Sequence, residues 1–135
     1  MKALSKQAQQ IFDRIIADVQ ASAKLNNAPG TYTPLCVEDI SLQYDLPARS
    51  VWSFAHYGES NGDAMRDPEM IFFLRDFQAY PIYYRNDWAG VEQMVARVVR
   101  GSTFKCYGPA DDRKQSQQAA FANTWMANIQ EQQLS

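Results

Sequence analysis

The dipeptide Asn61-Gly62 constrains this chain more than any other pair of residues. It stands between two strand-like runs, "RSVWSFAHYG" before it and "EMIFFLRDF" after it. Both central positions of a type I′ turn need positive φ, which Gly adopts freely and Asn tolerates, so a tight β-hairpin is predicted here. In the first run Trp52, Phe54 and His56 alternate with Val51, Ser53, Ala55 and Tyr57, the period of a strand. The second run is continuously apolar, as in a central strand covered on both faces or one with a partly wet side. A third, "AYPIYYRND", carries Pro81, which cannot donate to a ladder; an edge position or a strand start is expected for it. In "VEQMVARVVRG" the residues Met94, Val95 and Val98 also fit a helical face, but the valines favour strand. Arg100-Gly101 then reads as a turn into a further strand, "STFKCYG".

Helices bracket this run of strands. Ile11, Phe12, Ile15, Ile16 and Val19 recur at helical spacing near the N-terminus, with Ala8 and Ala23 extending the stripe and Ser5 as a cap. Asn26, Asn27 and Pro29-Gly30 are the expected stop. A second helix is predicted from Asp111 or Asp112, with Phe121, Trp125 and Ile129 on its apolar face and Ala122 and Met126 widening it. Between the first helix and the hairpin, Leu35, Val37, Ile40 and Leu42 imply a short extended segment, followed by a loop around Asp45 and Pro47. Helix, a group of strands, then helix is the order of an α+β fold. The expectation is an N-terminal helix, an antiparallel sheet of four to six strands, and a C-terminal helix packed on one face.

The 135 residues are one domain's worth, 1–135, and 46% apolar with 21% charged residues is a globular composition. A net charge of −2 argues against a general nucleic-acid binder, which carries a basic patch, so nucleic acid is not the expected partner. Cys36 and Cys106 fit no metal spacing and form no CxxC pair; free thiols are expected. No apolar leader follows Met1 and no stretch reaches membrane-spanning length, so the expectation is a cytoplasmic protein with no membrane partner.

Polar residues concentrate in "HYGESNGDAMRDPEM", residues 56–70, which holds the only histidine. An unbulged ladder out from the turn would set Ser60 opposite Asp63, His56 opposite Asp67 and Phe54 opposite Glu69. Pro68, inside the proposed second strand, works against that register. Three chemistries compete for the stretch. The carboxylates can simply satisfy loop amides. His56, Asp63, Asp67 and Glu69 are hard oxygen and imidazole ligands and so candidate metal ligands, though their spacing matches no established loop. His56, Asp67 and Glu69 are candidate acid–base residues, with no nucleophile motif beside them. A second polar knot, "YYRNDWAG", residues 83–90, combines Tyr83, Arg85, Asp87 and Trp88, residue types met in turns and at binding hot spots alike.

These motifs, closed by "FANTWMANIQEQ", resemble an uncharacterised family of small bacterial proteins met on plasmids and other mobile elements. The family's pattern is similar to H-Y-x-x-x-N-G-D-x-M-x-D-P-E-M, then Tyr-rich sequence ending in N-D or Q-D, then a tryptophan-bearing helix. His56, Tyr57, Asn61, Gly62, Asp63, Met65, Asp67, Pro68, Glu69, Met70, Asp87, Trp125 and Asn128 match it. Gly58 departs from it, standing where the family pattern has a second tyrosine. The resemblance implies a bacterial, cytosolic, mobile-element setting and no particular activity.

The expected function is that of a small accessory protein that binds a protein partner, with interference in host defence as one form. Its binding residues are taken as Tyr57, Asn61, Asp63, Arg66, Tyr83, Arg85, Asp87 and Trp88. A homodimer through an edge strand is a second form of the same expectation, and no cofactor is expected. A metal-dependent or acid–base enzyme built on His56, Asp63, Asp67 and Glu69 is the alternative, and nucleic-acid binding a weaker one.

Overall fold

A computed structural model describes residues 1–25, 33–99 and 103–134, with the side chains of residues 98 and 103 excepted. The first helix, α1, runs Lys6–Ala17, and the Ser5 hydroxyl accepts from the Ala8 amide at 3.2 Å as its N-cap. It buries Ala8, Ile11, Phe12, Ile15 and Ile16. α1 is shorter than its apolar stripe predicted, and a residue distant in sequence ends it. Arg49 donates from Nη2 to the Ile16 carbonyl at 2.9 Å and from Nη1 to the Val19 carbonyl at 2.7 Å. A cation bonded to orphan carbonyls at a helix C-terminus is a favourable terminator. The chain then forms β1 (Ser22–Leu25), so Ala23 reaches the core from a strand rather than a helix. The expected stop at Asn26, Asn27 and Pro29-Gly30 lies outside the described residues, as does the expected Arg100-Gly101 turn.

The other strands are β2 (Leu35–Asp39), β3 (Val51–Ser60), β4 (Asp63–Arg75), β5 (Gln78–Asn86) and β6 (Val91–Met94). With β1 they make a six-stranded antiparallel sheet in sequence order. The extended segment expected through Leu42 ends at Asp39, and Ser41–Tyr44 is a 3-10 turn before the loop around Asp45 and Pro47. β7 (Ala96–Val99) and β8 (Thr103–Cys106) form a separate hairpin. The last helix, α2 (Pro109–Gln133), starts earlier than predicted: Gly108 is its N-cap and Pro109 opens it, with Asp111 and Asp112 in the first turn. A proline's fixed φ suits that first position. The architecture is the expected α+β, with the C-terminal helix packed on one sheet face.

β5 corrects the edge assignment drawn from Pro81, for it lies between β4 and β6. Proline survives there because β6 pairs only with Tyr83–Asn86, leaving no β6 ladder beside residue 81. On the β4 side the register slips between Ile71 and Phe72, which pair with Tyr83 and Pro81 and skip Ile82. A missing donor costs nothing where no acceptor is in register.

Both sheet faces are apolar, for different reasons. On the first, Trp52, Phe54, Met70 and Phe72 meet α1 and α2 through Phe12, Trp125, Met126 and Ile129. Phe12 stacks on Phe54 at 5.0 Å between centroids and meets Phe72 edge-on at 5.3 Å. On the second face Val51, Ile71, Phe73 and Ile82 are covered by Ile40, Leu46, Ala96 and Phe104, from the β2–β3 connection and the β7–β8 hairpin. That cover does not extend to the end of the sheet nearest the Asn61-Gly62 turn, where Tyr57, Arg66 and Arg85 are only half-buried.

Candidate functional site

The hairpin turn forms as predicted, with Asn61 at φ 53° and Gly62 at φ 86°. Ser60 pairs with Asp63, and the ladder runs regularly back to Tyr57 opposite Arg66. There it shifts. Ala55, not Phe54, is opposite Glu69, and His56 is spanned by the two residues Asp67 and Pro68, whose peptide bond is cis. This bulge corrects the unbulged register and separates the candidate catalytic and metal residues. One extra residue reverses the side toward which the rest of a strand alternates. Glu69 therefore shares a face with Ser53, Ala55 and Tyr57, while His56 points with Phe54 toward the helices.

His56 is buried against α2. Trp125 donates its indole N–H to Nδ1 at 3.3 Å, and Nε2 lies 3.3 Å from Gln133 Oε1. An indole nitrogen only donates, so Nδ1 must be the acceptor and Nε2 carries the proton that goes to Gln133. Gln133 in turn donates to the Thr33 carbonyl at 3.3 Å. Burial pushes the His56 pKa below 6.5, against the smaller raising effects of the Gln133 bond and the Asp67 charge. This is a neutral, satisfied core imidazole. Asp67 is exposed and accepts from Asn86 Nδ2 at 3.1 Å, while Asp63 lies exposed at the turn. Among the described residues, no three His, Cys, Asp or Glu side chains are grouped to hold a metal ion.

The opposite face brings the two polar knots together. Arg66 Nε lies 2.9 Å from Glu69 Oε1, an ionic contact without hydrogen-bond alignment, and Ser53 donates to Glu69 Oε2 at 3.0 Å. From the β5–β6 connection, Asp87 accepts the Arg66 amide at 2.8 Å and returns its own amide to the Arg66 carbonyl at 2.9 Å. Arg85 Nε donates to the other Asp87 oxygen at 2.7 Å. The Arg66 amide bond, followed by Arg85, holds the Asp87 carboxyl below its usual range. Tyr83 donates to Glu92 at 2.5 Å, and burial together with that bond pushes its phenol up to about 12. Burial, seconded by the Glu69 charge, also raises Tyr57 and Tyr44. All three phenols stay protonated and able to donate.

Trp88 follows Asp87 and lies against the other side of the hairpin arm, the side to which His56 points. Its ring lies over Gly58, where an added Cβ would stand 3.4 Å from both Cζ2 and Nε1, and it remains 53% exposed. Gly58, having no side chain, is what lets the indole approach the strand backbone. Next to Tyr57 a cleft of about 360 Å³ is lined by Lys24, Pro34, Cys36, Tyr57 and Ala64. Burial raises the Cys36 thiol pKa more than Lys24 lowers it, so the sulfur is a poor nucleophile. Cys36 and Cys106 are both free.

Of the expected binding residues, Tyr57, Arg66, Tyr83, Arg85, Asp87 and Trp88 therefore lie in one region, and Asn61 and Asp63 stand apart at the hairpin tip. Ser53 and Glu92 belong to the network and carried no sequence signal beyond strand alternation. Trp125 and Gln133, the partners of His56, are eight residues apart on α2, a helical spacing that signals a shared face but not its occupant.

Fold and surface together define an α+β sheet protein with one face sealed by helices and the other left partly open as a polar, aromatic patch. The chain belongs to the family described as a domain of unknown function, DUF6908, whose model matches residues 1–135. No curated protein and no solved structure matches it. Among the described residues, no helix is long and apolar enough to cross a membrane.

Proposed function

We propose that this chain is a small cytosolic accessory protein of a mobile genetic element, binding a protein partner through the outer arm of the β3–β4 hairpin and the Asp87–Trp88 connection beside it. Interference with a host defence protein is the form that such a setting favours. The observation that carries the reading is the seat of Trp88 on Gly58, next in the chain to Asp87 of the Arg66–Asp87–Arg85 network and across the hairpin arm from Tyr57. Arginine, tyrosine and tryptophan around a rigid centre are the composition of a binding hot spot. The cross-strand bonds fix these side chains before any partner arrives, which lowers the ordering cost of association. Acid–base chemistry has less support, because His56 is neutral, buried and on the face opposite Glu69.

The test is affinity capture from host extract with the wild type, Trp88→Ala and His56→Gln, followed by titration of the purified captured protein. Loss of an indole at a hot spot weakens binding about tenfold or more. The reading requires a protein that binds wild type and His56→Gln alike and is lost from Trp88→Ala, with the melting temperature of Trp88→Ala unchanged. Equal capture by all three chains would overturn it.

A further inference from the structure

A second, smaller cleft lies on the helix-covered face, away from Trp88. Tyr84, Gln93, Gln117, Gln118 and Phe121 line about 140 Å³ between α2 and the edge strand β6. Gln118 is the unusual member, 3% exposed, with its Nε2 donating to the Gln93 carbonyl at 3.3 Å and its Oε1 buried without a partner. The Gln93 carbonyl can only accept, so it fixes which end of the amide faces it and leaves the oxygen as the orphan. Buried acceptors are nearly always paired, and one that is not calls for a donor from outside the chain. The Tyr84 and Phe121 rings beside it meet edge-on at 5.3 Å, and Phe121 is 41% exposed.

We propose that this cleft receives the indole of a tryptophan presented by a protein partner, with the indole N–H donating to Gln118 Oε1. Three features select that group. The space is far below that of a site for a whole metabolite, about 300 Å³ or more, and suits a single side chain. The walls are aromatic, which favours a flat ring in edge-on or offset contact. The free acceptor stands alone: Gln118 Nε2 is already committed, so the incoming group must donate without needing to accept. Arginine also only donates, but no carboxylate lines the cleft to balance its charge. Indole is the neutral aromatic side chain that donates and has no acceptor. Entry requires Phe121, the exposed wall, to turn outward and open the path to Oε1.

The probe is N-acetyl-tryptophanamide, titrated into ¹⁵N-labelled protein, with the N-acetyl amide of 3-benzothienylalanine as a control of matching shape that lacks the N–H. The expected result is saturable shifts at the Gln93, Gln118 and Phe121 amides, with the benzothienyl probe binding at least about fivefold more weakly. Gln118→Met, which keeps the length and removes the acceptor, should bring the two probes within about twofold of each other. Should that variant not fold, Phe121→Ala, at an exposed position, should weaken both probes by at least about threefold through loss of a wall. Absence of saturable shifts at these residues, meaning that water alone fills the cleft, would overturn the proposal. So would equal binding of the two probes to the wild type. Neither result bears on the Trp88 surface, which shares no residue with this cleft.

Discussion

Trp125 holds His56 from across the core, its indole N–H 3.3 Å from the imidazole Nδ1. The bond works in one protonation state only, since a second proton on the ring would set two donors against each other. Stability should report this through pH. The folded-state pKa of His56 lies below 6.5, so between the two values the unfolded chain binds more protons and folding weakens as pH falls. The contribution is fully present above about pH 6.5 and is lost as the pH drops below it toward the folded-state pKa. Melting temperatures from pH 7.5 to 5 should therefore fall more steeply for the wild type than for His56→Gln. Parallel curves would show that the imidazole does not control the effect.

Arg49 ends α1 through bonds to the Ile16 and Val19 carbonyls, and lies 4.9 Å over the Trp52 ring. Arg49→Ala should cost about 2 kcal/mol in urea unfolding, from the lost cap and contact. The residue also sits at φ 70°, so Arg49→Gly should be less harmful than Arg49→Ala by about 0.5–1 kcal/mol. An Ala variant as stable as the Gly one would contradict this account of the position.

Gly58 makes room for Trp88, and the room is limited. A methyl group at 3.4 Å is ordinary contact, so Gly58→Ala should leave the Trp88 environment nearly unchanged. Gly58→Tyr has no such option, because a ring and an indole compete for one place. Its difference from the wild type should be a red shift of Trp88 emission, judged against a Trp88→Phe background. A spectrum identical to the wild type would mean that the indole does not rest there in solution.

Phe77 is the strained residue of the β4–β5 turn. It follows Asp76 in a two-residue loop closed by the Arg75–Gln78 pair, with φ 51° and 64° at the two positions, and it is 91% exposed. A left-handed conformation costs a non-glycine residue about 1–2 kcal/mol. Phe77→Gly should therefore stabilise the protein by about 0.5–1 kcal/mol after the entropy of the freer unfolded chain is subtracted. Denaturant midpoints measure it, and a destabilised variant would count against the strain.

That turn shows where the sequence was readable and where it was not. Asn61-Gly62 announces its hairpin because both residues tolerate positive φ, whereas Asp76-Phe77 makes the same kind of two-residue turn without such a signal and reads as more strand. The alternation of Trp52, Phe54 and His56 disclosed their common side, but not that Trp125 and Gln133 would meet the histidine there. α1 was over-extended because its terminator, Arg49, lies some thirty residues downstream, as its bond to Val19 records. The pairing of the two polar knots was equally hidden. It depends on Asp87 reaching the Arg66 backbone across the β4–β5 pair, a tertiary contact with no local period. Local rules see geometry within a turn or an alternation; they do not see which distant carbonyl a guanidinium or carboxylate will find.

The bulge at Asp67-Pro68 acts as a parity switch along the β3–β4 arm. On β4, Glu69, Ile71 and Phe73 face one side with odd numbers and Arg66 and Ala64 with even ones, while β3 keeps one count throughout. Point substitutions on either side keep both counts, so the outer arm can change its chemistry without disturbing the inner one. Deleting a single residue at 67 or 68 would leave one residue opposite His56 and a regular ladder, with Arg66 still beside Tyr57 and Glu69 still beside Ala55. A one-residue deletion on β3 at His56 would instead turn Tyr57 and its neighbours over relative to Ser53 and Ala55. The length of β3 is thus held more tightly than that of β4, and natural variation in length here should fall at 67–68, where the extra residue sits.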